Sequence, residues 1–269
     1  METAVITGST RGLGYELAKN FRMHGFNVVI SGTTDEGIAR TVNRLKEIKG
    51  EGEVIGTVCN VTKLDEVEQL GKLAVEKFGE IDYWVNNAGV NQSYKLIWDL
   101  PEHEIDYILN TDLKGTINGS SVAVKKMMYQ THGKIYNVEG YGSDNSFSSG
   151  LSLYGTAKRA VTYFTDALAN EVYEQDLPII VGKLSPGIMI TEFITSSNGE
   201  LNANPLDDKA KNIYNILGDY PDIVAQFLVI EMISNKKNGK RIEWLNKSRK
   251  AIRLATSAFT KRDFFKDDD

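Results

Sequence analysis

Cysteine is almost absent from these 269 residues, with Cys59 standing alone. One thiol cannot close an internal disulfide, and its place at the end of an apolar run reads as a small buried hydrophobe in a reducing compartment. The three histidines, His24, His103 and His132, are scattered without ligand-type spacing to cysteine or carboxylates, so no catalytic metal is expected. No apolar run approaches the length of a membrane span, and the first strand pattern begins almost at Met1. No targeting peptide is therefore expected and a cytoplasmic protein is the expectation, with a processed organelle protein that has lost its transit segment as the alternative. There is neither an internal repeat nor a low-complexity linker. A formal net charge of -5 provides no global attraction to nucleic acid, so the expected partner is a small molecule in water.

What is present is enough apolar residue, 41% of the chain, to bury one large core. The periodicity alternates. Strand patterns at 3–7, 27–31, 53–59, 81–85, 134–138, 179–184 and 241–245 are separated by helical patterns at 15–24, 36–49, 63–78, about 101–130, 153–174 and 221–233. Strands alternating with helices predict an α/β fold with a parallel, doubly wound sheet of about seven strands and helices on both faces. Ligands of such sheets sit beyond the carboxyl ends of the strands, which directs attention to the loops after Thr7, Ser31, Cys59, Val85, Val138 and Leu184.

The first of those loops is glycine-rich. Gly8, Ser9, Thr10, Arg11, Gly12, Leu13 and Gly14 lie between a strand and a helix, the context in which glycines allow a tight turn and close approach of backbone to a pyrophosphate at the helix N-terminus. A carboxylate for a free ribose 2'-hydroxyl is missing at the end of the second strand. Arg11 with the hydroxyls of Ser31, Thr33 and Thr34 could instead surround a 2'-phosphate, favouring NADP(H) over NAD, although Arg11 also fits a solvated turn and Asp35 lies close by. Asn86, Asn87, Ala88 and Gly89 follow the fourth strand, where amides can brace backbone and small residues leave room for a flat nucleoside. Asn60, followed by Val61, stands where an adenine contact is expected, and fits an Asx turn equally well.

Tyr154 and Lys158 are four residues apart in a helical pattern and so share a face. An ammonium beside a phenol favours the phenolate, which is expected to bring a group titrating near ~10 closer to neutrality. This is acid/base chemistry suited to a carbonyl.

The glycine turn, Asn86 to Gly89, Asn110 and the Tyr154/Lys158 pair, taken in order, resemble the short-chain dehydrogenase/reductase family over nearly the whole chain. The resemblance implies a single Rossmann-type domain, a nicotinamide cofactor and hydride transfer between it and a carbonyl or alcohol carbon. It further implies that Tyr154 is the acid in reduction, that Lys158 lowers its pKa and binds the nicotinamide ribose, and that Asn110 holds a water in a proton relay. Read from the residue alone, Asn110 is equally a capping amide. Pro186, Gly187, Ile188 and Thr191 belong to a family-type segment implied to contact the cofactor.

The chain departs from the family where the carbonyl-polarising serine is expected, because Gly140 holds that place. Ser143 could loop back to do the work or bond only its own loop, and Tyr141 could donate instead. The segment from Asn137 to Asp144 and those at 212–217 and 221–228 resemble the chlorophyll(ide) b reductase branch, which implies reduction of a 7-formyl group to hydroxymethyl on a tetrapyrrole. Two other readings stay open: reduction of another aldehyde or ketone, and a cofactor-binding partner subunit without activity. The family's long interface helices imply a homodimer or homotetramer.

A catalytic domain over 1–245 is expected to include a substrate lid at about 190–215, carrying Phe193, Ile194, Leu201 and Leu206, while Trp98, Phe147 and Leu151 wall the site. The extension at 246–269 continues a basic stretch in which ten Lys and Arg between Lys236 and Arg262 face Glu243 alone. Interleaved Ile252, Leu254 and Phe259 would suit peripheral contact with an anionic membrane, or a charged helix packed on the body.

Overall fold

A computed structural model describes residues 1–191, 196–197, 200–201, 207–260 and 262–266. The strands are β1 (Thr3–Ile6), β2 (Asn27–Gly32), β3 (Val54–Val58), β4 (Tyr83–Asn86), β5 (Gly133–Val138), β6 (Ile179–Ser185), β7 (Ser196–Ser197), β8 (Glu200–Leu201) and β9 (Arg241–Glu243). Seven of them form one parallel sheet in the order β3-β2-β1-β4-β5-β6-β9, while β7 and β8 make a separate two-residue antiparallel ladder. The chain order reverses between β1 and β4, which opens the crevice at their carboxyl ends where a doubly wound sheet takes its ligand.

The helices are α1 (Gly12–Met23), α2 (Asp35–Lys46), α3 (Leu64–Phe78), α4 (Glu102–Ile108), α5 (Gly115–Met127), α6 (Ser152–Glu174), α7 (Asp208–Leu217), α8 (Pro221–Ser234) and α9 (Lys247–Thr256). They cover both faces, so the central strands are apolar on both sides. In β1, Ala4 and Ile6 share a core with Leu17 and Phe21 of α1 and Leu228 and Met232 of α8, while Val5 belongs to the opposite core with Trp84 of β4, Leu70 of α3 and Val122 of α5. Each fully buried Leu or Ile contributes about 1.5–3 kcal/mol relative to exposure.

Helix starts are chemically marked. Thr34 Oγ1 accepts from Gly37 N–H at 3.2 Å, Asp207 Oδ1 from Ala210 N–H at 2.7 Å, and Asn246 Oδ1 from Arg249 N–H at 2.9 Å. In α1 no side chain caps the N-terminus and no acidic residue lies in the first turn. Its first N–H groups point to the crevice as anion donors.

One departure from the sequence reading matters for function: the expected helix at 101–130 is broken by a π-helical turn, Leu109–Lys114, which shifts the face presented by every later residue. Of the expected lid, Phe193, Ile194 and Leu206 lie outside the described residues and Leu201 is part of β8. The end of that stretch belongs to α7, a capped helix.

Candidate active site

The glycine turn joins β1 to α1, with Gly8 and Gly12 at φ of 60° and 54°. At Gly14 a side chain would collide with the Gly8 carbonyl and the Asn87 amide. Asn87 braces the turn, donating from Nδ2 to the carbonyls of Thr7 and Gly8 at 3.0 Å each, and Thr7 Oγ1 accepts from the backbone N–H of Asn87 and Ala88. Asn86 lies one layer deeper, accepting from Trp84 Nε1 and donating to Ser120 and Asn137. Asn87 thus ties the end of β4 to that of β1, and Asn86 ties it to β5 and α5.

The other expected cofactor residues divide. Arg11, Thr33 and Thr34 are exposed at the rim, with Thr34 also capping α2. Ser9 and Ser31 are fully buried, and Ser9 Oγ is used within the turn, donating to Ile6 O and accepting from Ser31 N–H. Ser9 thus braces the turn, whereas the Ser31 Oγ is buried without a hydrogen-bond partner among the described residues. Asn60 closes an Asx turn, its Oδ1 accepting from Thr62 N–H at 3.0 Å. Val61 is buried against Gly115, and Leu13 packs in the core. Beyond β6, Pro186 is buried and Gly187 turns the chain at a φ of 75°; Ile188 O then accepts from Asp219 N–H, directing the strand toward Thr191 and the base of α7.

Tyr154 and Lys158 lie on the buried face of α6, beyond the end of β5. Lys158 Nζ stands 5.5 Å from the centre of the Tyr154 ring. The group that reaches Lys158 is Asp112, whose Oδ2 lies 2.9 Å from Nζ and whose Oδ1 accepts from Val90 N–H at 2.7 Å. The Asn110 side chain, at the start of the π turn, is only partly buried.

Ser143 is buried; its Oγ accepts from Gly140 N–H at 3.2 Å and donates to Lys158 O at 3.3 Å, and so it clamps the loop to α6. A side chain on Gly140 would overlap the Tyr154 hydroxyl. Tyr141 is 43% exposed, and burial, with Asp144 and Tyr94 nearby, pushes its phenol up.

At the pair, Lys158 lowers the Tyr154 phenol in the expected sense, but burial outweighs it. Burial pushes the Tyr154 phenol up to about 12; Lys158 pulls it down, and Asp112 and Tyr214 push it further up. Burial pulls the Lys158 ammonium down, but Asp112, Tyr154 and Glu139 more than offset this and hold it above its ordinary value. For Asp112, burial raises the carboxyl against the lowering by Lys158 and Val90 N–H. The charge of Lys158 is shared with a carboxylate the sequence reading did not use.

Several more residues shape the site. Gln92 is buried, donating to Gly150 O at 2.9 Å and accepting from Tyr154 N–H at 2.8 Å, so it sets the first turn of α6. Ser93 and buried Glu104 lock the same loop, with Ser93 Oγ within 2.7 Å of both carboxylate oxygens. Glu139 is held by Thr162 Oγ1 at 2.7 Å and Arg241 Nε at 2.5 Å. None of these carries a short motif; each became visible only when distant segments met. Along the rim, Tyr94, Leu96, Ile97, Trp98 and Phe147 are exposed, and Leu151 is half-buried.

The basic tail packs on the body. Asp219 is buried at the α7–α8 junction and accepts from Trp244 Nε1 at 2.5 Å, Arg253 at 2.7 Å and Arg262 at 3.0 Å. Arg249 stacks on Trp244 at 3.6 Å, and Phe264 meets Tyr220 edge-on at 5.0 Å. Ile252, Leu254 and Phe259 remain exposed. Among the described residues no helix is long and apolar enough to cross a membrane. His132, scattered in sequence, joins Asp82 and Glu2 with ligand-type atoms within 4.8 Å, but at the amino ends of the strands, opposite Tyr154.

The family model described as short chain dehydrogenase matches residues 2–202. The Oryza sativa subsp. japonica protein named probable chlorophyll(ide) b reductase NYC1, chloroplastic, is 32% identical over 94% of this chain and 51% of its own length. The Arabidopsis thaliana chlorophyll(ide) b reductase NOL, chloroplastic, is 34% identical over 84% of this chain and 63% of its own. The chain thus spans about half to two thirds of these relatives. A crystal structure of an actinorhodin polyketide ketoreductase variant with NADPH superposes with a TM-score of 0.78 at 24% identity, over 92% of this chain and 97% of that one, and shares the fold. Turn, sheet order and the Tyr154/Lys158 pair agree with the sequence match, and the chain belongs to the short-chain dehydrogenase family of oxidoreductases.

Proposed function

We propose that this chain is an NADPH-dependent carbonyl reductase, with the 7-formyl group of a chlorophyll(ide) b-type tetrapyrrole as its substrate. The observation that carries the reading is the buried Tyr154 phenol with Lys158 beneath it, placed at the carboxyl edge of the sheet next to an uncapped helix N-terminus. The residues fit a dinucleotide. Gly14 permits the close turn, the first N–H groups of α1 would hold the pyrophosphate, and Gly89 borders Lys158 where a side chain would fill the space. Arg11, Thr33 and Thr34 sit exposed at the rim suited to a 2'-phosphate, which supports NADPH.

NADPH supplies the hydride when bound. The chain supplies the proton: Tyr154 donates its hydroxyl hydrogen to the carbonyl oxygen, and Lys158 stabilises the phenolate left behind. The exposed apolar rim of Tyr94, Leu96, Ile97, Trp98 and Phe147 suits a wide aromatic ligand better than a sugar, and the plant relatives' names agree with it. Mixing the protein with NADPH and chlorophyllide b should shift the pigment absorption as the formyl group is lost, with matching oxidation of NADPH. No shift from folded protein that binds NADPH refutes the substrate. The missing serine at Gly140 also supports a partner subunit without activity. That reading gains if Tyr154→Phe leaves every measured reductase activity intact.

A further inference from the structure

We propose that Asp112 is a positioning residue that cancels the charge of Lys158 and so keeps Tyr154 a neutral phenol, biasing the site toward giving a proton to a carbonyl over taking one from an alcohol. This rests on the reductase reading above only for the direction of catalysis; the electrostatic relation stands on geometry alone.

The Asp112 side chain is fully buried and that of Lys158 is 6% exposed, with Oδ2 2.9 Å from Nζ. Asp112 lies in the π turn Leu109–Lys114, Val90 N–H fixes its Oδ1 at 2.7 Å, and Gly89 borders both the carboxylate and the ammonium. Among the described residues, the charged and titratable groups acting on this pocket beside Asp112 are Lys158 and Tyr154 from α6, Glu139 beyond β5, and Tyr214 from α7. Glu139 is already paired with Arg241. Asp112 is thus the carboxylate that opposes Lys158 directly.

The charge count follows. With Asp112 ionised, a neutral Tyr154 leaves the trio uncharged, and a phenolate leaves one net negative charge in a buried space. With a neutral residue in place of Asp112, the phenolate would instead form an uncharged pair with Lys158. Burying an uncompensated charge is the costlier state. Alcohol oxidation needs the phenolate before reaction, whereas carbonyl reduction starts from the phenol, so the carboxylate favours the second starting state.

The test compares wild type with Asp112→Asn, which keeps an acceptor for Val90 N–H, and with the smaller Asp112→Ser should Asn fail to fold. Titration of Tyr154 is read from phenolate absorbance as the difference between each protein and its Tyr154→Phe counterpart, without any substrate. The expected result is a titration at least one pH unit lower in the variants, a tenfold or greater gain in phenolate at a given pH. The alkaline limb for oxidation of the matching alcohol with NADP should move down by the same interval. Asp112→Glu, retaining the charge, should hold both near wild type. An unchanged Tyr154 titration in a folded Asp112→Asn or Asp112→Ser protein overturns the proposal. A shifted titration in protein inactive on chlorophyllide b would instead leave it intact and count against the substrate alone.

Discussion

Restoring a serine at the place where the family carries one should damage this site. Gly140 lies so close to the reactive phenol that a Cβ would overlap the Tyr154 hydroxyl and stand 3.0 and 3.1 Å from Cγ and Cε of Lys158. Both functional side chains must therefore move to admit Gly140→Ser. Neither moves freely: Tyr154 starts in a turn pinned by Gln92, and Lys158 is held by Asp112. Overpacking of this kind costs about 1–3 kcal/mol of stability. A displacement near 1 Å at the reacting group costs roughly 100-fold in rate, or ~2.7 kcal/mol of barrier. The expected phenotype is a folded protein with a somewhat lower Tm, NADPH affinity within about threefold of wild type because the glycine turn is remote, and kcat reduced ~100-fold. Gly140→Ala should behave the same way, since the clash comes from Cβ and not from the hydroxyl. NADPH oxidation with chlorophyllide b or a surrogate aromatic aldehyde, beside a thermal melt, measures both quantities. Equal or higher kcat in Gly140→Ser would refute the steric reading and show that the loop yields to accept a second donor.

At the cofactor rim, Arg11→Ala should weaken NADPH by about 10–100-fold while leaving NADH within about threefold, as expected for loss of a charge-assisted contact to a 2'-phosphate; equal losses for both by calorimetry would reject the assignment. Asp219→Ala removes the shared acceptor of Trp244, Arg253 and Arg262 at a buried site, so it should destabilise the fold by roughly 3–5 kcal/mol. Because α7 ends beside Asp219, the same variant should raise KM more than it lowers kcat, and a KM equal to wild type would separate the tail from the site.

The legible part of this molecule is the part set by local pattern. Strands buried on both faces read as short apolar runs, and the glycine turn declares itself by lying between a strand and a helix, as does the four-residue spacing of Tyr154 and Lys158. What stayed hidden depends on geometry that spacing does not encode. The role of Asn110 comes from the family resemblance alone, whereas Asp112, two residues on in the π turn, carries the carboxylate that meets Lys158. Ser143 has the right chemistry and distance in sequence, yet the turn from Gly140 directs its hydroxyl to α6. The basic tail likewise resembles a free cationic surface until Asp219, some 25–43 residues away, gathers Trp244, Arg253 and Arg262. In each case a polar residue's role is decided by its partner, and the partner comes from another element. Local pattern therefore identifies the reaction class through Tyr154 and Lys158, while the Asp112 carboxylate that pairs with Lys158 comes from another element and is not revealed by local pattern.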